Sequence, residues 1–107
     1  MQINVSSKLF DMTSAIEEYI VSKSEKLTRF YNRIVQIDVK IEKTTHGYTS
    51  EIIVDVEHHD PIIANNEDND MHASIDGCID RAVRQLTDLK SRLRDDKHNT
   101  PTGGIER

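Results

Sequence analysis

The sequence predicts an α+β fold in the order β-α-β-β-β-α, a mixed four-stranded sheet with both helices packed on one face. Two patterns and one number carry that prediction. Between Val35 and Glu42 apolar and polar residues alternate strictly, the period of a strand with one covered face. Between Asp70 and Lys97, Met71, Ile75, Cys78, Ile79, Ala82, Val83, Leu86, Leu89 and Leu93 recur every three or four positions, which gathers them on one arc of a helix. The length, 107 residues, is enough to bury roughly 65% of the unfolded surface around one core and too little for two.

Taken in order, Gln2–Ser6 alternates through Ile3 and Val5 and forms the first strand. Thr13 or Ser14 then caps a helix, Ser14 and Glu17 having capping-box spacing. This helix is expected to reach about Tyr31, burying Ile16, Ile20, Leu27 and Tyr31, with Tyr19 and Phe30 at the margin. In the second strand Val35, Ile37, Val39 and Ile41 face inward. A turn at His46–Gly47 leads to Ser50–Glu57, where Ile52, Val54 and Val56 face in while Glu51, Asp55 and Glu57 face out. A reversal over His58–Pro61 leads to a last strand, Ile62–Asn66. A helix between the first two strands implies a crossover that leaves them parallel, and the short turns after them imply an antiparallel meander. The acidic, Asn-rich run before the final helix reads as a loop with Asp70 at the positive helix end. Residues 1–97 form the domain and residues 98–107 a mobile tail.

Net charge is −5, which taken alone argues against a polyanionic partner. The distribution argues otherwise. Residues 1–50 hold seven basic and six acidic groups, residues 51–80 none and nine, and residues 81–107 seven and four. The outward sheet face offers Asp38, Glu42, Glu51, Asp55 and Glu57 and no aromatic platform, so nucleic acid is repelled there rather than stacked upon. The helices carry the opposite sign: Lys23, Lys26, Arg29 and Arg33 on or just after the first, and Arg81, Arg84, Lys90, Arg92 and Arg94 on the second. Two such ridges with a groove between them would grip phosphates and read shape. Lys23 lies near the apolar arc, so its stem rests on the core while its ammonium reaches outward.

Other chemistries find no support. Five histidines lack metal-ligand spacing, and the single cysteine, Cys78, falls on the apolar arc. No phosphate loop or nucleophile elbow is present, and neither burial nor a partner tunes the carboxylates on a solvated sheet. No catalytic residue, metal, cofactor or small-molecule substrate is therefore expected. With no run of about eighteen apolar residues and no basic-then-apolar leader, a cytoplasmic location without membrane contact is expected. The rivals kept open are an acidic protein-interaction module using Glu51–Asp80, and a small enzyme centred on His58, His59 and Asp60.

Across about residues 1–94 the chain resembles the bacterial ribosome hibernation-promoting factor family. The resemblance rests on Gln2-Ile3-Asn4, Lys23 with Lys26-Leu27, Asp70-Met71-His72-Ala73-Ser74-Ile75-Asp76 and Arg84-Gln85-Leu86, in this order and spacing. It implies a fold similar to double-stranded-RNA-binding domains and occupancy, without catalysis, of the decoding region of the small ribosomal subunit, overlapping the paths of messenger and transfer RNA. The implied partners are that subunit and its ribosomal RNA, with the protein monomeric when off the ribosome. His72 stands where the family pattern has tyrosine, and Asp88 where some relatives are basic. The family's long form adds a C-terminal domain that is not expected here. The short form that helps pair ribosomes and the form whose longer tail opposes pairing both stay open, because the tail is intermediate.

Overall fold

The computed structural model describes the backbone of residues 2–98 and the side chains of residues 2–93. Strands β1 (Gln2–Lys8), β2 (Ile34–Thr44), β3 (Gly47–Val56) and β4 (Ile62–Asp68) stand side by side in that order. Helix α1 (Ser14–Glu25), continued by a 3₁₀ turn (Lys26–Arg29), links β1 to β2, and helix α2 (Met71–His98) follows β4. The β1–β2 pair is parallel and the other two pairs are antiparallel. The predicted order and mixed sheet are therefore those of the protein.

One apolar cluster joins sheet and helices. Ile37, Val39, Ile41, Ile52, Val54 and Val56 project from the sheet to meet Ile20 and Leu27 on the α1 side and Ile75, Cys78, Ile79, Ala82, Leu86 and Leu89 from α2. Met71, Val83 and Leu93, also expected on the buried arc, are half-buried at its rim. Burial pushes the Cys78 thiol up to about 12, with the charge of Glu51 adding to the effect, so this cysteine behaves as a small hydrophobe. Within the core, the Ser50 and Ser74 hydroxyls satisfy one another at 2.8 Å across the β3–α2 contact, and Ser74 Oγ also reaches Asn66 O at 3.1 Å.

Capping follows the sequence in both helices. Thr13, rather than Ser14, caps α1, its Oγ1 accepting from Ile16 N at 3.2 Å. Asp70 Oδ2 accepts from Ala73 N at 2.9 Å and so caps α2. The first turns of α2 lie tight on β4 because Gly77 has no side chain: a Cβ there would come within 2.2 Å of Asn66 Nδ2, which donates to the carbonyls of Ala73 and Ser74.

Three expectations need correction. Val35 does not face the core; it is 51% exposed, because the β2–β3 register shifts between Ile34 and Gln36 and leaves Val35 as the extra residue of a bulge. The first helix does not run to Tyr31 as an α-helix; it tightens into 3₁₀ geometry at Lys26, and Phe30 N and Tyr31 N both bond to Leu27 O. The last strand does not stop at Asn66: Glu67 and Asp68 extend β4 opposite Thr49 and Tyr48, so the run before α2 is only partly a loop. The expected tail, apart from His98, lies outside the described residues.

Candidate nucleic-acid interface

The direction of the two helices decides where the cations go. As β4 runs from Asn66 back to Ile63, its contacts climb α2: Asn66 meets Ser74, Ala64 meets Cys78, Asn65 meets Arg81 and Ile63 meets Gln85. Helix α2 is therefore antiparallel to β4. Tyr19 meets His72 and Lys23 meets Asp76, so α1 and α2 run the same way. Both C-terminal halves consequently point toward the end of the sheet where β2 begins. The negative helix ends and the basic residues that suit them are brought to one end of the domain.

Lys26, Arg29 and Arg33 are exposed at that end, on the 3₁₀ turn and the link to β2. Arg84, Lys90 and Arg92 are exposed on α2. Among the described residues none of these six has an acidic partner in an ion pair. Arg81 is exposed but engaged: its Nη1 donates to Asn65 O at 2.9 Å, and Gln85 Nε2 donates to Ile63 O at 3.0 Å. Together they occupy outward carbonyls of the β4 edge, which an unprotected edge strand would offer to another chain. The side chain of Arg94 lies outside the described residues.

The expected pair of facing ridges is not what forms. At 3.6 residues per turn, Val83 and Lys90 share the α1-facing flank of His72 and Asp76, whereas Arg92 shares the β4-edge flank of Arg81 and Gln85, and Arg84 stands near the solvent pole. The cations of α2 thus wrap around its outer surface. The space between the helices is closed by a polar bridge that the sequence did not disclose. Tyr19 Oη donates to Asp76 Oδ1, Lys23 Nζ lies 3.8 Å from the same oxygen, and the Lys23 ammonium sits 5.4 Å from the Tyr19 ring centroid. The His72 ring meets Tyr19 edge to face at 4.8 Å. Lys23 does reach outward from the core, but into this bridge.

The hydrogen bond to Asp76 is the largest cause pushing the Tyr19 hydroxyl from 10.0 up to about 12, with burial and the charges of Asp76 and Asp70 adding to it. Because the unfolded chain releases this proton at lower pH than the folded one, the bridge contributes its full stability below about 10 and loses it as pH rises to about 12. Tyr19→Phe is expected to make the alkaline loss of stability shallower across that interval, read as the denaturant midpoint against pH. An unchanged profile would contradict the bridge.

The other face of the sheet has the opposite character. Asp38, Glu42, Glu51, Asp55 and Glu67 lie on it, interrupted by Lys40, whose register neighbour is Glu51, and by the Ile53–Ile63 pair. Asp38 accepts from Asn4 at 2.8 Å and from Gln36 at 2.9 Å. Glu57, His58, His59 and Asp60 are all exposed in the β3–β4 turn, so the enzyme reading loses the buried environment it required. Among the described residues no three His, Cys, Asp or Glu gather as metal ligands, and no helix is long and apolar enough to cross a membrane.

Sequence and fold are matched in known proteins. The chain is 40% identical over 96 residues to the ribosome hibernation promoting factor of Escherichia coli (strain K12), covering 88% of this chain and 98% of that one. It is 32% identical over 101 residues to the factor of the same name from Azotobacter vinelandii, covering 86% and 85%. Among solved structures, the N-terminal domain of Thermus thermophilus Protein Y superposes with a TM-score of 0.74 at 26% identity, over 83% of this chain and 99% of that one. A ribosomal subunit interface protein from Coxiella burnetii has the same fold, with a TM-score of 0.79 at 20% identity over 85% and 99%. The family model for sigma 54 modulation protein / S30EA ribosomal protein matches residues 3–94, from β1 into the C-terminal half of α2, and the chain belongs to that family.

Proposed function

We propose that this chain is a ribosome-binding hibernation factor that silences translation by occupying the decoding region of the small subunit, where it excludes messenger and transfer RNA. The observation that carries this reading is the 40% identity to the Escherichia coli hibernation factor over 98% of that protein's length. The physical basis is the basic end of the helical side, which holds ribosomal RNA through its phosphates and selects it by shape. The contacts are Lys26, Arg29, Arg33, Arg84, Lys90, Arg92 and Arg94, with Lys23 and Arg81 contributing from positions they also hold for the fold. Residues 1–97 are the binding domain and residues 98–107 an appended tail. The protein works in the cytoplasm, needs no cofactor, is monomeric away from the ribosome and does no chemistry. Nothing in the comparisons favours the rival reading of an acidic protein-interaction module.

Occupancy has a kinetic signature. A plug silences one ribosome per molecule, whereas a catalyst silences many. In a purified translation system, synthesis is expected to fall linearly with added protein and to reach its floor near one equivalent per ribosome. Full inhibition at a small fraction of an equivalent would require turnover and contradict the reading.

A further inference from the structure

The turn that joins the 3₁₀ segment to β2 holds a feature that phosphate binding does not use. Phe30 is 41% exposed, although its neighbours in sequence, Leu27 and Tyr31, are buried at 0% and 6%. Those two anchor the backbone: Phe30 N donates to Leu27 O at 3.0 Å and Tyr31 N to the same oxygen at 3.2 Å. Beyond the turn, Arg33 O accepts from Glu57 N at 3.0 Å. The ring is therefore presented to solvent from a fixed backbone. Lys26, Arg29 and Arg33 surround it in sequence and are all exposed, and no acidic residue occurs from Lys26 to Ile37. Val35, turned out by the bulge, adds a second exposed apolar side chain to the same segment.

An exposed aromatic ring in a segment that carries three exposed cations and no acid is complementary to a base with phosphates on either side. We propose that Phe30 stacks on an unpaired nucleobase of the bound RNA while Lys26, Arg29 and Arg33 hold the adjoining phosphates. Bases within an A-form duplex are already stacked on both faces, so the occupant is a nucleotide in a loop, bulge or single-stranded end. This deepens the proposed function and rests on it: the cations bring the domain to RNA, and the ring selects RNA with an accessible base.

The chain has no tryptophan, so Phe30→Trp supplies a single indole reporter. Its emission is expected to be quenched by a single-stranded oligoribonucleotide and by small subunits, and to change little with a blunt RNA duplex of equal length. Phe30→Ala is expected to weaken small-subunit binding roughly ten- to hundredfold with an unchanged salt slope, whereas Arg29→Ala reduces that slope by about one. Phe30→Tyr, which keeps the stacking face, is expected to bind as wild type. A denaturation curve on each variant checks that the exposed position leaves the fold intact. Wild-type affinity in folded Phe30→Ala, with Arg29→Ala impaired, overturns the stacking proposal and leaves the ribosome reading standing. Failure of the unmodified protein to bind small subunits overturns both. Indole quenching by polyglutamate to the same degree as by RNA assigns the ring to a protein partner and also overturns the proposal.

Discussion

Leu86→Ala is expected to lower the stability of this domain by roughly 2–5 kcal/mol, a large part of what a domain of this size possesses. Leu86 is fully buried in the cluster that joins α2 to β2 and β3. Truncating it removes methyl groups and leaves a cavity that a sheet fixed by ladder bonds on one side cannot fill. Arg84 and Arg92 lie on the same helix, but they are exposed and have no ion-pair partner among the described residues. Their replacement by Ala is expected to shift stability by no more than about 0.5 kcal/mol each. Denaturant midpoints at unchanged slope measure the difference. Ribosome binding should respond in the reverse order, with folded Leu86→Ala binding nearly as wild type and the double Arg84→Ala, Arg92→Ala variant binding weakly. A Leu86→Ala midpoint equal to that of Arg84→Ala would mean that α2 does not lie on the sheet as described.

That contrast within one helix was legible in the sequence because a single period of 3.6 separates buried from exposed positions along α2. The strands were legible for the same reason with a period of two, as far as the period holds. At Val35 it fails: one extra residue in β2 reverses the side chain, and nothing in Ile34-Val35-Gln36 signals the insertion. Glu67 and Asp68 have weak strand propensity, yet pairing with Thr49 and Tyr48 holds them in β4, a tertiary effect outside any local window. The Ser50–Ser74 pair escaped notice because serine is usually exposed and its partner is 24 residues away. That both helices carry exposed cations could be read from composition and spacing. Their arrangement could not, because it depends on which flank of α2 turns toward α1, and contacts with β4 determine that. The Tyr19–Asp76 bridge joins residues 57 apart and depends on the same choice.

The affinity of the domain for small subunits is expected to fall on the order of a thousandfold between about 50 and about 200 mM salt. That follows if about six phosphates are neutralised and folded RNA behaves as duplex DNA does on counterion release. The six exposed cations that have no acidic partner among the described residues, Lys26, Arg29, Arg33, Arg84, Lys90 and Arg92, are sufficient in number for this. The acids of the outer sheet face lie on the side away from α1 and α2 and contribute nothing favourable. Such a loss concerns binding only, since these exposed charges contribute little to folding.

Co-sedimentation with small subunits across a salt series, comparing charge reversals on the two faces, tests the central claim that the helical side is the RNA-binding surface. Arg29→Glu with Arg84→Glu is expected to abolish pelleting at moderate salt and to flatten the salt response, while Glu51→Lys with Asp55→Lys is expected to pellet as wild type or more tightly. A cooperatively folded Arg29→Glu, Arg84→Glu protein that pellets as wild type, or a sheet-face variant that alone loses binding, would contradict it.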